Sequence, residues 1–138
     1  MSRSGYSDSL ENWDLIRWRG AVRAAIRGKR GQAFLRELLA ALDAMPEKEL
    51  IGGELVTADG DCCTLGALGL ARGLDMSTVD YNDPPAVAEF FGIAHALAAE
   101  IEFLNDEDGC WRKDEPAARW RRMRQWVAAQ IYTAGPAT

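Results

Sequence analysis

Three residues in the middle of the chain, Cys63, His95 and Asn105, are of the types that thiol hydrolases combine in catalysis. Cys63 lies near the predicted start of a helix, where the helix dipole favours the thiolate form. His95 could act as its general base, and Asn105 could orient the imidazole. The alternative is structural, with a cysteine in the core, a histidine on the polar side of its helix and an asparagine at the helix end. Because most chains contain such residues, we expect no enzyme activity and keep a small thiol-dependent enzyme as an alternative.

Two acidic turns could offer oxygen ligands to a hard cation: Asp59-Gly60-Asp61 and Asn105-Asp106-Glu107-Asp108-Gly109. Neither follows the EF-hand order, which needs ligands at alternating positions and a distal glutamate. Capping and turn formation account for both. Zinc is not expected either, because the single histidine and the three cysteines show no C-x-x-C or H-x-x-x-H spacing. The sequence therefore predicts neither a metal nor a cofactor.

The cysteines Cys62, Cys63 and Cys110 are odd in number and include an adjacent pair, which is not typical of a disulfide framework. Reduced thiols fit the cytoplasm. No apolar run approaches the roughly 18 to 20 residues of a membrane span, and the first residues lack the apolar segment of a signal peptide. We therefore expect a cytoplasmic protein without membrane contact.

Arginines recur every fourth residue on the first predicted helix, at Arg19, Arg23 and Arg27, and are followed by Lys29 and Arg30. Such a stripe can supply the sequence-independent part of nucleic-acid affinity, because it presents positive charge to a row of phosphates. The net charge of −5 and the absence of helix-turn-helix spacing argue against this function. Nucleic-acid binding through this helix therefore remains an alternative.

Between Glu37 and Asp108 the chain is rich in acids and has only two bases, Lys48 and Arg72. One interpretation is that this acidic middle packs beside the basic outer helices, within one chain or across a dimer. The other is that it imitates nucleic-acid phosphates and occupies a basic groove of a partner protein, where charge speeds association and sets orientation. The candidate contact residues are Asp106, Glu107, Asp108 and the neighbouring Trp111.

The elements that must position these residues are predominantly helical. The chain has 138 residues and is 48% hydrophobic, values typical of a single globular core. We expect a polar, flexible leader over residues 1–8 and one helical domain over residues 9–134. Apolar residues at helical spacing, with capping residues at the ends, predict about six helices. They cover approximately residues 9–27, 32–44, 62–72, 84–91, 94–104 and 116–131.

Local details of the chain sharpen this prediction. The four residues Gly28–Gly31 should break the chain between the first two helices. Asp61 should cap the third helix, in which Gly66 and Gly69 should let another backbone approach closely. Short apolar runs around residues 49–58 are compatible with a two-stranded β-ribbon. The predicted fold is thus a mainly α, compact and irregular bundle of about six helices with that short ribbon.

Several short segments resemble those of uncharacterised proteins encoded on bacteriophages, prophages and other mobile elements. The shared pattern is a Cys-x-x-Gly-Ala segment, here Cys63-Thr64-Leu65-Gly66-Ala67, followed by an Asn-Asp turn, here Asn105-Asp106. Further similar stretches occur at residues 30–35, 91–93 and 119–127, so the resemblance covers most of the chain. It implies a genomic setting rather than a mechanism, and small proteins in that setting often bind and block a host enzyme or defence complex.

The sequence as a whole favours a non-enzymatic phage or prophage accessory protein that acts by protein–protein binding in the bacterial cytoplasm. Its expected partner is a host protein or complex, such as a nucleic-acid-handling complex or a defence complex of the kind that anti-CRISPR proteins inhibit. Nucleic acid bound through the basic helix and a thiol enzyme at Cys63 remain the alternatives. The sequence does not specify the oligomeric state, and it is compatible with a dimer.

Overall fold

The computed structural model describes residues 12–106 and 115–132, in which helices and connecting loops are present. Within these two ranges six α-helices pack into a bundle, which confirms the predicted mainly α class. The described part of the chain contains no strand, and none of its helices is long and apolar enough to cross a membrane. The helices are α1 (Asn12–Arg27), α2 (Lys29–Ala44), α3 (Thr64–Ala71), α4 (Pro84–Phe91), α5 (His95–Asp106) and α6 (Pro116–Gln130).

Helix α2 lies at the centre of the bundle and packs against α1, α3 and α6. Its apolar residues recur at helical spacing, and Leu35, Leu38 and Leu42 are completely buried. Each such leucine stabilises the fold by about 1.5 to 3 kcal/mol relative to an exposed one. The wide apolar face of α2 is therefore covered by three other helices, and their buried residues form one continuous core.

The break between α1 and α2 is the single residue Gly28 rather than the four residues that were predicted. Lys29 and Arg30 already belong to α2, and Gly31 is buried in its first turn. A Cβ at Gly31 would overlap the carbonyl oxygen of Ala25 in α1. The second glycine is therefore required by the close crossing of two helices, and not by a chain reversal.

The side chain of Gln32 joins α2 to the ends of two other helices. Its Nε2 donates to the carbonyl oxygens of Ile26 at 2.8 Å and Gln130 at 2.9 Å, and its Oε1 accepts from the backbone N–H of Tyr132 at 2.9 Å. The residue is 7% exposed, so these bonds satisfy a buried amide. One side chain in this way connects residues 98 positions apart in the chain.

Helix α3 is capped by Cys63 in place of the predicted Asp61. The Sγ of Cys63 accepts from the backbone N–H of Gly66 at 3.4 Å. Asp61 does not cap the helix because its backbone belongs to the preceding loop, where its carbonyl oxygen accepts from the N–H of Thr57 at 2.8 Å. The helix therefore starts two residues later than predicted.

The predicted close approach of another backbone is confirmed at Gly66 of α3, whereas at Gly69 the close neighbour is a side chain. A Cβ at Gly66 would overlap the carbonyl oxygen of Leu55, and one at Gly69 would overlap the Sδ of Met76. The helix ends before Gly73, which has a φ of 70° and thus takes the left-handed conformation that commonly terminates helices.

The loop between α2 and α3 takes the place of the β-ribbon expected around residues 49–58. It contains one isolated antiparallel bridge, between Val56 and Cys62. A further backbone hydrogen bond runs from the N–H of Ile51 to the carbonyl oxygen of Cys62 at 2.9 Å. Gly53, with a φ of 88°, interrupts the extended conformation that a ribbon would need. The loop is therefore held by scattered hydrogen bonds, some within its own backbone and others to residues of α5 and α6.

Helices α4 and α5 pack closely together. The start of α4 agrees with the prediction, since Asp83 Oδ1 accepts from the N–H of Ala86 at 3.3 Å and proline follows the cap. Gly92, with a φ of 73°, ends the helix. Helix α5 also contacts α1, α3 and α6, so its residues reach most of the core.

Candidate functional site

Cys63, the candidate nucleophile, is 1% exposed at the amino-terminal end of α3. Burial raises the pKa of its thiol, because the interior disfavours the charged thiolate, and the Asp106 carboxylate acts in the same direction. The hydrogen bond from Gly66 opposes this shift without reversing it. The thiol is therefore protonated at neutral pH, and the geometry gives it the role of a helix cap in the core.

His95 and Asn105 lie near opposite ends of α5. A helix rises about 1.5 Å per residue, which separates them by roughly 15 Å and prevents the asparagine from orienting the imidazole. His95 is exposed, and its ring contacts Trp18 edge-on with the ring centroids 5.9 Å apart. The structure thus brings Asn105 close to the Cys63 segment and leaves His95 apart.

Asn105 is 1% exposed, and both ends of its amide are engaged. Its Oδ1 accepts from the backbone N–H of Thr64 at 3.1 Å and from the Thr64 hydroxyl at 2.7 Å. Its Nδ2 donates to the carbonyl oxygen of Ile51 at 3.0 Å and to Asp106 Oδ1 at 2.6 Å. The side chain therefore holds α5 against α3 and the loop before it.

Asp106, predicted to face a partner, forms its hydrogen bonds inside the protein. Its Oδ2 accepts from the Tyr81 hydroxyl at 2.5 Å, and its Oδ1 accepts from the N–H of Gly53 at 3.2 Å. Burial and the neighbouring acidic groups raise the pKa of the Tyr81 hydroxyl, which keeps it protonated and able to donate. The other candidate contact residues of this turn, Glu107, Asp108 and Trp111, lie outside the described residues.

Two arginines of α6 lie at the carboxyl end of α5. Arg119 donates from Nε to the carbonyl oxygen of Asn105 at 2.9 Å and from Nη1 to that of Leu50 at 3.3 Å. Arg122 donates to the carbonyl oxygen of Leu104. The last carbonyls of a helix lack intrahelical partners and carry the negative end of its dipole, so cations stabilise them. We refer to Thr64, Tyr81, Asn105, Asp106 and Arg119 as the polar cluster.

The basic side chains predicted on the first helix are exposed. Arg19, Arg23 and Arg27 lie along one face of α1, and Arg30 is exposed at the start of α2. None of these four has an ion-pair partner in the part of the chain that the structure describes. Ile16, which is 63% exposed, precedes Arg19 by one turn on the same face. We refer to the four arginines as the basic stripe.

A pocket of about 340 Å³, absent from the sequence prediction, lies between the end of α2, the following loop and α3. Alanines of both helices form much of its apolar wall, because their side chains are too short to fill the space. Leu70 lies at the same opening and remains 46% exposed. The alanines are Ala41 and Ala44 on α2 and Ala67 and Ala71 on α3.

Three acidic residues line this pocket: Glu47, Glu49 and Asp61. All three residues are exposed, and none has an ion-pair partner within residues 12–106 and 115–132. Negative charge is therefore gathered around an apolar opening. We refer to this arrangement as the acid-rimmed pocket.

The two bases of the acidic middle bind groups other than these three carboxylates. Arg72 pairs with Glu37, with 2.6 Å between Nη2 and Oε1, and its hydrogen bonds lower the pKa of that carboxyl. Lys48 donates from Nζ to the carbonyl oxygens of Asp43 at 2.6 Å and Met45 at 2.5 Å. Neither cation is therefore paired with the acids of the pocket.

Cys62 also lines the pocket. Burial, together with the negative charge of Asp61, raises the pKa of its thiol to about 11. The thiol is neutral at physiological pH and contributes a polarizable apolar surface rather than a nucleophile. Over the described residues no group of three or more His, Cys, Asp and Glu side chains could hold a metal ion.

Sequence reasoning identified the excess of acids in this region but missed the pocket. The available signal was alanine at helical spacing, Ala41 with Ala44 and Ala67 with Ala71, next to acids of the connecting segment. Alanines at such spacing mark a helix face with little bulk. Which two faces meet depends on how α2 and α3 cross, and a pattern within one helix does not specify the crossing.

The polar cluster and the pocket are separate features, since the cluster consists of hydrogen bonds within the fold and the pocket is open to solvent. Comparisons with protein-family models, with curated proteins and with solved structures found no match for this chain. Inference about its function therefore starts from its own residues and surfaces.

Proposed function

We propose that this protein is a non-enzymatic accessory protein, of the kind encoded by phages and prophages, that binds a host protein through the acid-rimmed pocket. The observation that carries the proposal is an open apolar pocket bordered by three carboxylates without ion-pair partners among the described residues. Protein interfaces combine a desolvated centre, into which anchor side chains insert, with a polar rim. The acid-rimmed pocket offers both parts.

The charge around the pocket favours a partner with a basic surface, because opposite charges speed encounter and set orientation. Host complexes that handle nucleic acid, defence complexes among them, carry basic grooves for phosphates. A protein that occupies such a groove blocks the nucleic acid from entering it. We therefore place inhibition of such a complex, in the manner of an anti-CRISPR protein, first among the biological outcomes of binding.

An affinity pull-down from host lysate, treated with nuclease and read by mass spectrometry, tests the proposal. The wild-type protein should retain one partner in near-stoichiometric yield. The charge reversal Glu47→Lys/Glu49→Lys should lower that yield by at least about tenfold, because like charges facing each other oppose association.

The matched control is Asp14→Lys/Glu89→Lys, which changes the net charge equally at two exposed helical positions outside the pocket lining. The control variant should retain the partner, because neither position lines the pocket. It should also stay folded, since an exposed ion pair such as Asp14 with Arg17 contributes little to stability. Absence of any partner, or equal retention by the pocket variant and the control, would contradict the proposal.

Nucleic-acid binding is the second candidate function, and the basic stripe favours it. Four exposed arginines without ion-pair partners in the described residues can contact phosphates. Fluorescence anisotropy with duplex DNA should then show affinity that falls steeply between about 50 and 200 mM salt. Arg19→Glu/Arg23→Glu should weaken it, while the exposed control Arg121→Glu should not. No binding at low salt would eliminate this function.

A further inference from the structure

We infer that the acid-rimmed pocket receives one large apolar side chain of the partner, with a lysine or arginine of the same segment placed at the opening. This inference rests on the proposed function and adds the chemistry of the partner segment. It follows from three properties of the pocket: its size, its lining and the position of its charges.

The volume of about 340 Å³ lies at the lower end of the range for ligand pockets, which is about 300 to 1,000 Å³. A space of this size accepts one or two side chains and is too small for a dinucleotide or a comparable cofactor. Insertion of a single anchor is the arrangement that dominates the energy of many protein interfaces.

The lining favours an apolar anchor. Short alanine side chains on α2 and α3, together with Met45 and the neutral thiol of Cys62, give the pocket an apolar interior. Leu70 extends this apolar surface to the exterior, where it is 46% exposed. An aliphatic or aromatic side chain that covers these groups removes apolar area from water on both partners.

The charges select a cation next to that anchor. Glu47, Glu49 and Asp61 are exposed, so they lie toward solvent rather than in the apolar interior. A lysine or arginine can lay its methylene groups along the apolar wall while its charged end meets these carboxylates. The same carboxylates repel an anionic group, which excludes a phosphate-bearing ligand from the opening.

Three small probes of equal size test the inference: 4-phenylbutylamine, 4-phenylbutanol and 4-phenylbutanoate. They carry the same apolar group with a positive, neutral or negative end. Titration of the full chain, followed by NMR of the methyl groups of Ala44, Leu70 and Ala71, reports binding at the pocket. We expect Kd values on the order of millimolar for the amine, as for small fragments generally. The amine should bind at least about tenfold more tightly than the carboxylate, because several unit charges interact across a few ångströms.

Two variants locate the effect. Glu47→Gln/Glu49→Gln/Asp61→Asn should reduce the ratio of amine to carboxylate affinity to within about twofold, because it removes the charge and keeps the shape. Ala71→Phe, at an exposed position of the lining, should fill the space and abolish binding of all three probes. Glu89→Gln, on the exposed face of α4, should leave the ratio unchanged.

Equal affinity for amine and carboxylate, or shifts confined to residues outside the pocket, would overturn the inference. If the pull-down identifies a partner while the probes show no charge preference, the inference fails and the proposed function stands. If the probes behave as expected and no partner is found, the proposed function fails instead. Concentration-dependent self-association abolished by Arg19→Glu/Arg23→Glu would identify a second copy of this chain as the occupant and would overturn the assignment to a host protein.

Discussion

The polar cluster and the acid-rimmed pocket both border the loop between α2 and α3, yet their carboxylates have opposite surroundings. In the polar cluster, Asp106 accepts three hydrogen bonds from donors within the protein. At the pocket, Glu47, Glu49 and Asp61 are exposed and have no ion-pair partner among the described residues. One region uses its polar groups to join segments of the fold, and the other leaves them available.

This difference separates stability from binding. A polar or charged group taken out of water costs several kcal/mol unless it finds partners, so the fold must supply donors wherever it buries one. Exposed acids impose no such requirement, and folding gives no reason to gather them around an apolar opening. Substitutions in the polar cluster should therefore cost stability, whereas substitutions at the pocket should change binding alone.

The largest loss of stability is expected from Asn105→Ala. The change leaves the buried donors of Thr64 and the carbonyl oxygen of Ile51 without their present partner. Each buried polar group left unsatisfied costs about 1 to 3 kcal/mol, so the free energy of unfolding should fall by about 4 kcal/mol. Urea denaturation followed by circular dichroism measures it. A loss below about 1 kcal/mol would remove the stabilising role assigned to the cluster.

A slightly smaller loss is expected from Gly66→Ala in α3, the helix that borders both regions. The new Cβ would overlap the carbonyl oxygen of Leu55, and backbone yields less readily than a flexible side chain. Overpacking of this kind costs about 3 kcal/mol. Gly20→Ala is the matched control, because its added Cβ would meet no atom within 4 Å apart from the neighbouring backbone of its own helix. It should stabilise α1 by about 1 kcal/mol, because Gly20 is an exposed position inside a helix. Equal effects of the two changes in urea denaturation would contradict the close packing.

High pH should destabilise the protein because the thiols of Cys62, which lines the pocket, and Cys63, next to the polar cluster, are protonated in the folded state. Burial raises the pKa of the Cys62 thiol to about 11 and raises that of Cys63 as well, above the ordinary value of 9.0. Their neutral forms are thus favoured by the fold, and this stability is fully present below pH 9 and is lost as the pH rises further. For the buried Cys63, the loss at pH 10 is on the order of 1 kcal/mol.

Unfolding in urea between pH 7 and pH 11 measures this dependence, and Cys63→Ala should make it shallower. A stability that is constant up to pH 11 would show that the thiols titrate normally in the folded protein.

The smallest effect on stability is expected at the pocket. Glu47→Gln/Glu49→Gln/Asp61→Asn should change the free energy of unfolding by less than about 0.5 kcal/mol, as is usual for exposed positions. Relief of repulsion among the three acids could even make the change slightly favourable. The same urea experiment decides this, and a loss above about 2 kcal/mol would mean that the pocket acids serve the fold.

The helices themselves were predictable because their signals are local. The spacing of apolar residues predicted α2. Gly73 predicted the end of α3, and Asp83 and Gly92 predicted the start and the end of α4. The errors occurred where tertiary contacts decide. Gly31 is a residue type typical of turns, but it lies inside α2 because α1 crosses the helix there. Cys63 caps α3 in place of Asp61 because the backbone of Asp61 is hydrogen-bonded within the preceding loop.

The candidate site was less predictable for the same reason. Cys63, His95 and Asn105 looked compatible in sequence, but their separation depends on the length of α5 and on where each end of it packs. The spacing of Arg19, Arg23 and Arg27 was visible in the sequence, since a polar ridge opposite an apolar stripe is a local pattern, and the structure leaves these residues exposed. Asp106 lies in a segment with the composition of an exposed turn. Its hydrogen bonds with Tyr81 and Gly53 depend on the tertiary structure and were therefore not predictable from the sequence.

The contacts of Gln32 also bear on the order in which the chain acquires its structure. Its amide bonds to backbone groups of Ile26, Gln130 and Tyr132. The last two bonds cannot form until residues 98 and 100 positions further along the chain have been synthesised. Until then, the face of α2 that α6 covers stays in contact with water or with chaperones. Contacts between segments so distant in sequence slow folding. The nascent chain should therefore reach its final packing only after α6 has left the ribosome, as a late and cooperative event.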